Sequence, residues 1–158
     1  MHCLIYALLL AAPTEAEVSV AVSASNLSLA TTAKIRRGVN SGFEAKLEWN
    51  PWISVAGFDA FQPGALNLGA GWYRRYFMNR ARFAVSAGPS MLLFDTPIDS
   101  KGTVGAFLSF EPVLLSWPLR RGTLTVDPGS IHLVMPVLSG IPLIHRQYRH
   151  GIGYAYSW

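Results

Sequence analysis

The chain has 158 residues, of which 51% are hydrophobic and 14% charged, and carries a formal net charge of +4 from 13 Lys and Arg against 9 acidic residues. That charge content is far below the roughly 25% of soluble domains, and the length leaves room for one domain. Beyond the N-terminal stretch no run of about 18 apolar residues occurs, which excludes a helical membrane protein; in a membrane the chain must form a closed barrel, the other structure that satisfies every backbone group there.

Residues 1–16 (MHCLIYALLLAAPTEA) have the form of an export signal, with an apolar core from Leu4 to Ala12 and Thr14-x-Ala16 as cleavage site. The mature domain is then expected to span 17–158. Only His2 precedes the apolar core as a basic group. Cys3, the sole cysteine, lies in this segment, so no intramolecular disulfide and no cysteine metal site is expected.

From Val18 onward the chain breaks into alternating segments separated by turn signals. The first runs to about Thr32, and its apolar phase shifts near Asn26, which marks a bulge or a turn. Lys34 to Ser41 (KIRRGVNS) reads as a polar loop. Phe43 to Trp49 alternates cleanly: Phe43, Ala45, Leu47 and Trp49 share one face, and Glu44, Lys46 and Glu48 the other. Asn50-Pro51 reads as a tight turn, 52–57 as a returning strand and 58–64 as a longer loop. Strands follow over 65–77, 81–94, 103–119 and 123–138, with turns at 78–80 and 120–122, a loop at 95–102 and a short link at 139–142. Pro112, Pro118, Pro128 and Pro136 interrupt the sixth and seventh segments; Glu111-Pro112 and Asp127-Pro128 suit bulges, Pro118 and Pro136 strand ends.

The last strand ends the chain as YRHGIGYAYSW. Tyr148, His150, Ile152, Tyr154, Tyr156 and Trp158 line one face, and Arg149, Gly151, Gly153, Ala155 and Ser157 the other. This end resembles the C-terminal strand of small bacterial outer-membrane β-barrels of the eight-stranded class, in which the assembly machinery reads a terminal aromatic preceded by alternating aromatic or apolar residues. Tyr148, Ile152, Tyr154, Tyr156 and Trp158 carry the match; His150 fits less well. The resemblance implies an all-β, antiparallel up-and-down transmembrane barrel of about eight strands in the outer membrane of a Gram-negative cell, with the lipid bilayer and the barrel-assembly machinery as partners.

Two patterns bear on that expectation. Counted back from the C-terminus, short and long connections alternate in six of seven cases, as periplasmic turns and extracellular loops do. With this strand count all five tryptophans, Trp49, Trp52, Trp72, Trp117 and Trp158, fall toward the end with the short turns, as an interfacial aromatic girdle would.

An eight-stranded barrel is filled by its own side chains. Glu44, Lys46 and Glu48 then point inward and, with Asn67, Ser86, Glu111, Thr125, Asp127, Gln147 and Arg149, form a polar network whose charges satisfy one another. The candidates for chemistry are few. Ser130 and His132 share a strand face with Asp127 nearby, a set that could cleave a lipid ester, but the local motifs of barrel enzymes that deacylate lipid are missing. His145 and His150 lie on opposite faces and cannot pair on a metal. Gly69-Ala70-Gly71 leads into a strand, so it suits close packing rather than a dinucleotide. The basic clusters at 36–37, 74–75, 80–82 and 120–121 form no helix or aromatic-interleaved stripe that would read nucleic acid. No cofactor or metal is expected. A non-enzymatic membrane barrel is thus favoured over a lipid-modifying barrel enzyme, and both over a calycin-like soluble barrel binding a small apolar ligand, whose GlyXTrp motif and disulfides are absent.

Overall fold

The computed structural model describes residues 14–23, 29–50, 64–93, 104–138, 141–142 and 145–158. Eight long antiparallel strands form one sheet: β1 (Thr14–Ser23), β2 (Leu29–Gly38), β3 (Ser41–Asn50), β4 (Gly64–Tyr76), β5 (Ala81–Leu93), β6 (Val104–Leu119), β7 (Gly122–Leu138) and, after the two-residue β8 (Ile141–Pro142), β9 (His145–Ser157). Each pairs with its neighbours in the chain, and β1 pairs with β9 from Glu15↔Ser157 to Ser23↔Arg149. The sheet is therefore a closed up-and-down barrel with no free edge. Thr14 and Trp158 exchange backbone hydrogen bonds at 3.1 and 3.3 Å, which extends the seam to the last residue.

Two rims result. One carries both ends of the barrel and the links 39–40, 77–80 and 120–121; the other carries 24–28, 51–63, 94–103 and 139–144. Every link on the first rim is shorter than every link on the second. This alternation is more regular than the sequence-based strand boundaries suggest, because two of those boundaries are corrected. Lys34–Gly38 is the second half of β2, not a loop: Lys34 and Arg36 are buried while Ala33 and Ile35 face outward, so their charge belongs to the interior. The strand expected at 52–57 lies outside the described residues, and β3 pairs directly with β4 from Asn50↔Ala65 to Ser41↔Arg74.

The wall alternates as a strand must, but with polarity opposite to a soluble barrel. In β3 Phe43, Leu47 and Trp49 are exposed, and Glu44, Lys46, Glu48 and Asn50 are almost completely buried. In β9 Tyr148, Ile152, Tyr154 and Tyr156 face outward, Gln147 and Arg149 inward. Gly69 and Gly71 make room within the sheet: a Cβ on Gly69 would lie 2.4 Å from the buried Phe107 ring, and one on Gly71 2.2 Å from the Val85 carbonyl.

The prolines mark two bulges. Between Arg82↔Leu114 and Ala84↔Glu111 the register of β5 and β6 slips by one residue at Pro112-Val113; between Asp127↔Gly151 and Ser130↔Arg149 that of β7 and β9 slips at Pro128-Gly129. Each slip flips the phase of its strand, so the interior side runs 107, 109, 111 and then 114 in β6, and 125 then 130, 132, 134 in β7. Pro118 stands next to the end of β6, and Pro136 two residues from the end of β7.

The tryptophans divide between the rims. Trp72, Trp117 and Trp158 lie toward the short-turn rim, whereas Trp49 sits beside Asn50 at the opposite end of its strand; Trp52 lies outside the described residues. The expectation that all five share one rim is corrected for Trp49 because Asn50-Pro51 opens the longest link rather than a tight turn.

Candidate functional site

The polar groups converge in the barrel interior, where they form three tiers. Near the short-turn rim Arg36 Nε donates to Glu44 Oε2 at 2.6 Å, and its Nη1 donates to Glu17 Oε2 at 2.7 Å and Glu15 Oε1 at 3.0 Å. Arg82 bridges the same two acids, at 3.1 Å to Glu15 and 2.9 Å to Glu17, and Arg75 reaches Glu15 Oε2 at 2.6 Å. In the middle Lys34 Nζ donates to both oxygens of Glu111 at 2.7 Å, and Lys46 Nζ to Ser109 Oγ at 2.9 Å and Glu111 Oε1 at 3.3 Å. Nearer the loop rim Glu48 Oε2 meets Arg149 Nη1 at 2.8 Å, Asn67 donates to Glu48 Oε1 at 2.8 Å, and Asn50 donates to Gln147 at 2.8 Å.

Glu44, Lys46, Glu48, Glu111 and Arg149 are thus all inside the barrel and bound to one another or to further interior residues. Glu15, Glu17, Lys34, Arg36 and Arg82 are interior residues that the sequence reading missed. The available signal was alternation: Lys34 and Arg36 stand between Ala33, Ile35 and Arg37 as regularly as Glu44 to Glu48 stand among their apolar neighbours. Glu15 precedes the expected boundary at 16/17, which falls inside β1. The central cavity, lined by Lys34, Lys46, Glu111, Ser130 and His132 among others, measures about 20 Å³. That is room for about one water molecule. A wider recess of about 340 Å³ lies at the short-turn rim, between Glu15, Arg75, Arg80, Arg82 and Thr123.

The three residues weighed for ester cleavage are close together but arranged for another purpose. Ser130 Oγ lies 3.2 Å from His132 Nε2. His132 Nδ1 faces both Arg149 Nη1 at 3.1 Å and Glu48 Oε2 at 3.5 Å, so the imidazole belongs to the interior charge network. Asp127, the expected acid, accepts the Gly129 backbone N–H at 3.0 Å and bonds Ser130, not the imidazole. Ser130 and His132 are both buried inside the barrel, away from the outer surface. Among the described residues no group of three or more His, Cys, Asp or Glu has the arrangement of a metal site.

A closed antiparallel sheet with an apolar outer wall and an ionic interior defines a transmembrane β-barrel. No family model and no curated protein matches the sequence. Among solved structures the chain is similar to the crystal structure of Neisserial surface protein A, with a TM-score of 0.60 at 10% identity over 93% of this chain and 96% of that one. It is also similar to the N-terminal β-barrel domain of Pseudomonas aeruginosa OprF, with a TM-score of 0.54 at 12% identity over 92% and 97%. A de novo designed transmembrane β-barrel gives 0.51 at 13% identity over 92% and 95%. At these identities what is shared is the fold.

Proposed function

We propose that this chain is an integral outer-membrane β-barrel of a Gram-negative envelope, with no open pore and with a structural or interaction role rather than an enzymatic one. The observation that carries the reading is the inverted polarity of the wall around a lumen closed by paired charges. Both ends of the barrel lie on the short-turn rim, the arrangement that outer-membrane barrels place in the periplasm. Tyr148, Ile152, Tyr154, Tyr156 and Trp158 all face outward on the seam strand, where the barrel-assembly machinery would read them as its signal. Trp49, Trp72, Trp117 and Trp158 are exposed toward the strand ends, at the depths where indoles suit the headgroup interface.

An export segment at the start of the chain belongs to this reading, with its boundary moved. Cleavage after Ala16 would strip Glu15 from Arg36, Arg75 and Arg82, and these ion pairs support a cleavage point upstream of Thr14. The burial of Ser130 and His132 inside the barrel, with Asp127 bonded to Ser130 rather than to the imidazole, favours the non-enzymatic role over a lipid hydrolase. A calycin-like ligand site would need an apolar cavity, and the charged cavity of about 20 Å³ supplies none.

The test is fractionation joined to conductance. The protein should remain in the membrane fraction after carbonate extraction, migrate faster unheated than heated on a detergent gel, and give no stable channel steps in a planar bilayer. Soluble protein after carbonate would overturn the location, stable conductance would overturn the closed lumen, and ester release from lipid would overturn the non-enzymatic role.

A further inference from the structure

Charge on the short-turn rim is one-sided. The acids near it, Glu15, Glu17 and Glu44, are turned inward and held by Arg36, Arg75 and Arg82. Five further arginines stand there with no acidic partner among the described residues: Arg37 and Arg74 on the outer faces of β2 and β4, Arg80 in the 77–80 link, and Arg120 and Arg121 at the β6–β7 turn. The sequence of the opposite rim has the other sign, with Asp59, Asp95 and Asp99 in its long links against Lys101.

We propose that the short-turn rim binds acidic phospholipid headgroups through these five arginines. Their placement suits a headgroup better than a soluble partner. Arg37 and Arg74 project from the wall itself, in the band that holds Trp72 and Tyr76, and Arg74 stacks over the Tyr76 ring at 5.6 Å. A side chain at that depth meets lipid phosphate before it meets bulk water. The guanidinium fork matches two oxygens of a phosphodiester, and basic residues clustered at a bilayer surface draw acidic lipids to them. Because the five have no acidic partner among the described residues, neutralising them breaks none of the ion pairs found there.

The inference rests on the membrane-embedded reading, and its test separates the two. The folded full chain is placed in phosphatidylcholine nanodiscs containing a minority of phosphatidylglycerol, and the lipid retained on the protein is measured by native mass spectrometry. Phosphatidylglycerol should be enriched over its bulk share by about threefold or more. The Arg37→Gln, Arg74→Gln, Arg120→Gln, Arg121→Gln combination, which leaves Arg80 alone of the five, should bring the ratio close to the bulk value, while Arg146→Gln near the opposite rim leaves it unchanged. Should the fourfold variant fail to fold, Arg120→Gln with Arg121→Gln in the exposed turn should lower the enrichment in part, and high salt should lower it in the unaltered protein. No enrichment in the unaltered protein, or enrichment undiminished in a folded variant, overturns the proposal. Failure to enter a bilayer of either composition overturns the membrane reading instead.

Discussion

Replacing His150 with Phe makes the outer face of β9 a continuous apolar and aromatic row, and by hydrophobicity alone should stabilise a lipid-facing position by up to about 1 kcal/mol. The structure requires the opposite sign. The Pro128-Gly129 bulge pushes backbone groups out of the β7–β9 ladder, and among them the Pro128 carbonyl accepts a hydrogen bond from His150 Nδ1 at 2.6 Å. The carbonyl can only accept, so the imidazole carries its proton on Nδ1. On the other strand face Asp127 accepts the Gly129 N–H, so two of the groups freed by the bulge are satisfied by two side chains. Position 150 is five residues from one end of β9 and seven from the other, well inside the wall. Hydrocarbon there offers the carbonyl no replacement donor. Leaving it unpaired costs about 1–3 kcal/mol, more than Phe gains.

The assay is urea or guanidinium unfolding of the refolded barrel in lipid vesicles, followed by tryptophan fluorescence and by gel mobility. His150→Phe should lower the midpoint with the slope unchanged, which assigns the loss to stability rather than to a change of state. His150→Gln, which keeps a donor, should recover part of the loss. Tyr148→Phe, two residues away on the same face, should lie within about 0.5 kcal/mol of the unaltered protein. A His150→Phe barrel as stable as the original, or more so, would refute the account of the bulge.

Leu47 faces outward within β3, so Leu47→Arg should destabilise the barrel by about 2–4 kcal/mol, read from the same unfolding curves. Inside, the partners grade the cost: Arg36→Gln leaves Glu44 without its only ion-pair partner among the described residues and should cost about 3–5 kcal/mol, whereas Lys46→Gln leaves Lys34 on Glu111 and Arg149 on Glu48 and should cost less, with membrane insertion intact. Cysteines placed singly at 43 to 49 should react with a lipid-soluble thiol reagent at odd positions and not at even ones; a reversed or uniform pattern would exclude the membrane barrel. Trp158→Ser with Tyr156→Ser removes two stacked outward rings but none of the seam's backbone bonds, so refolding of the purified chain in vesicles should persist while its level in the outer membrane of cells falls. Equal loss in both settings would mark these rings as structural rather than as an assembly signal.

Which parts were legible depended on what the interior asks of each strand. β9 was plain because its interior face is mostly small, Gly151, Gly153 and Ala155, so apolar outward residues dominate the pattern. β3 was plain because all its interior residues near the middle are charged. β2 was half lost because Lys34, Arg36 and Arg37 crowd together, and a cluster of charge followed by Gly and Asn is the usual mark of a loop. In a wall with an ionic lumen that mark inverts: charge at every second position signals a strand, and only consecutive charge signals a link. Arg36-Arg37 in β2 and Arg74-Arg75 in β4 are ambiguous by this rule because in each pair the outward arginine lies at the rim. The pairing inside had no local trace at all, since Lys34 and Glu111 are 77 residues apart and meet only after closure. His150 shows the same limit from the other side. It is an outlier in the row of its own strand, and Pro128 is an outlier in another strand, 22 residues earlier. Each looks like a defect until the register sets them face to face, where the donor one strand lacks a use for meets the carbonyl the other cannot satisfy.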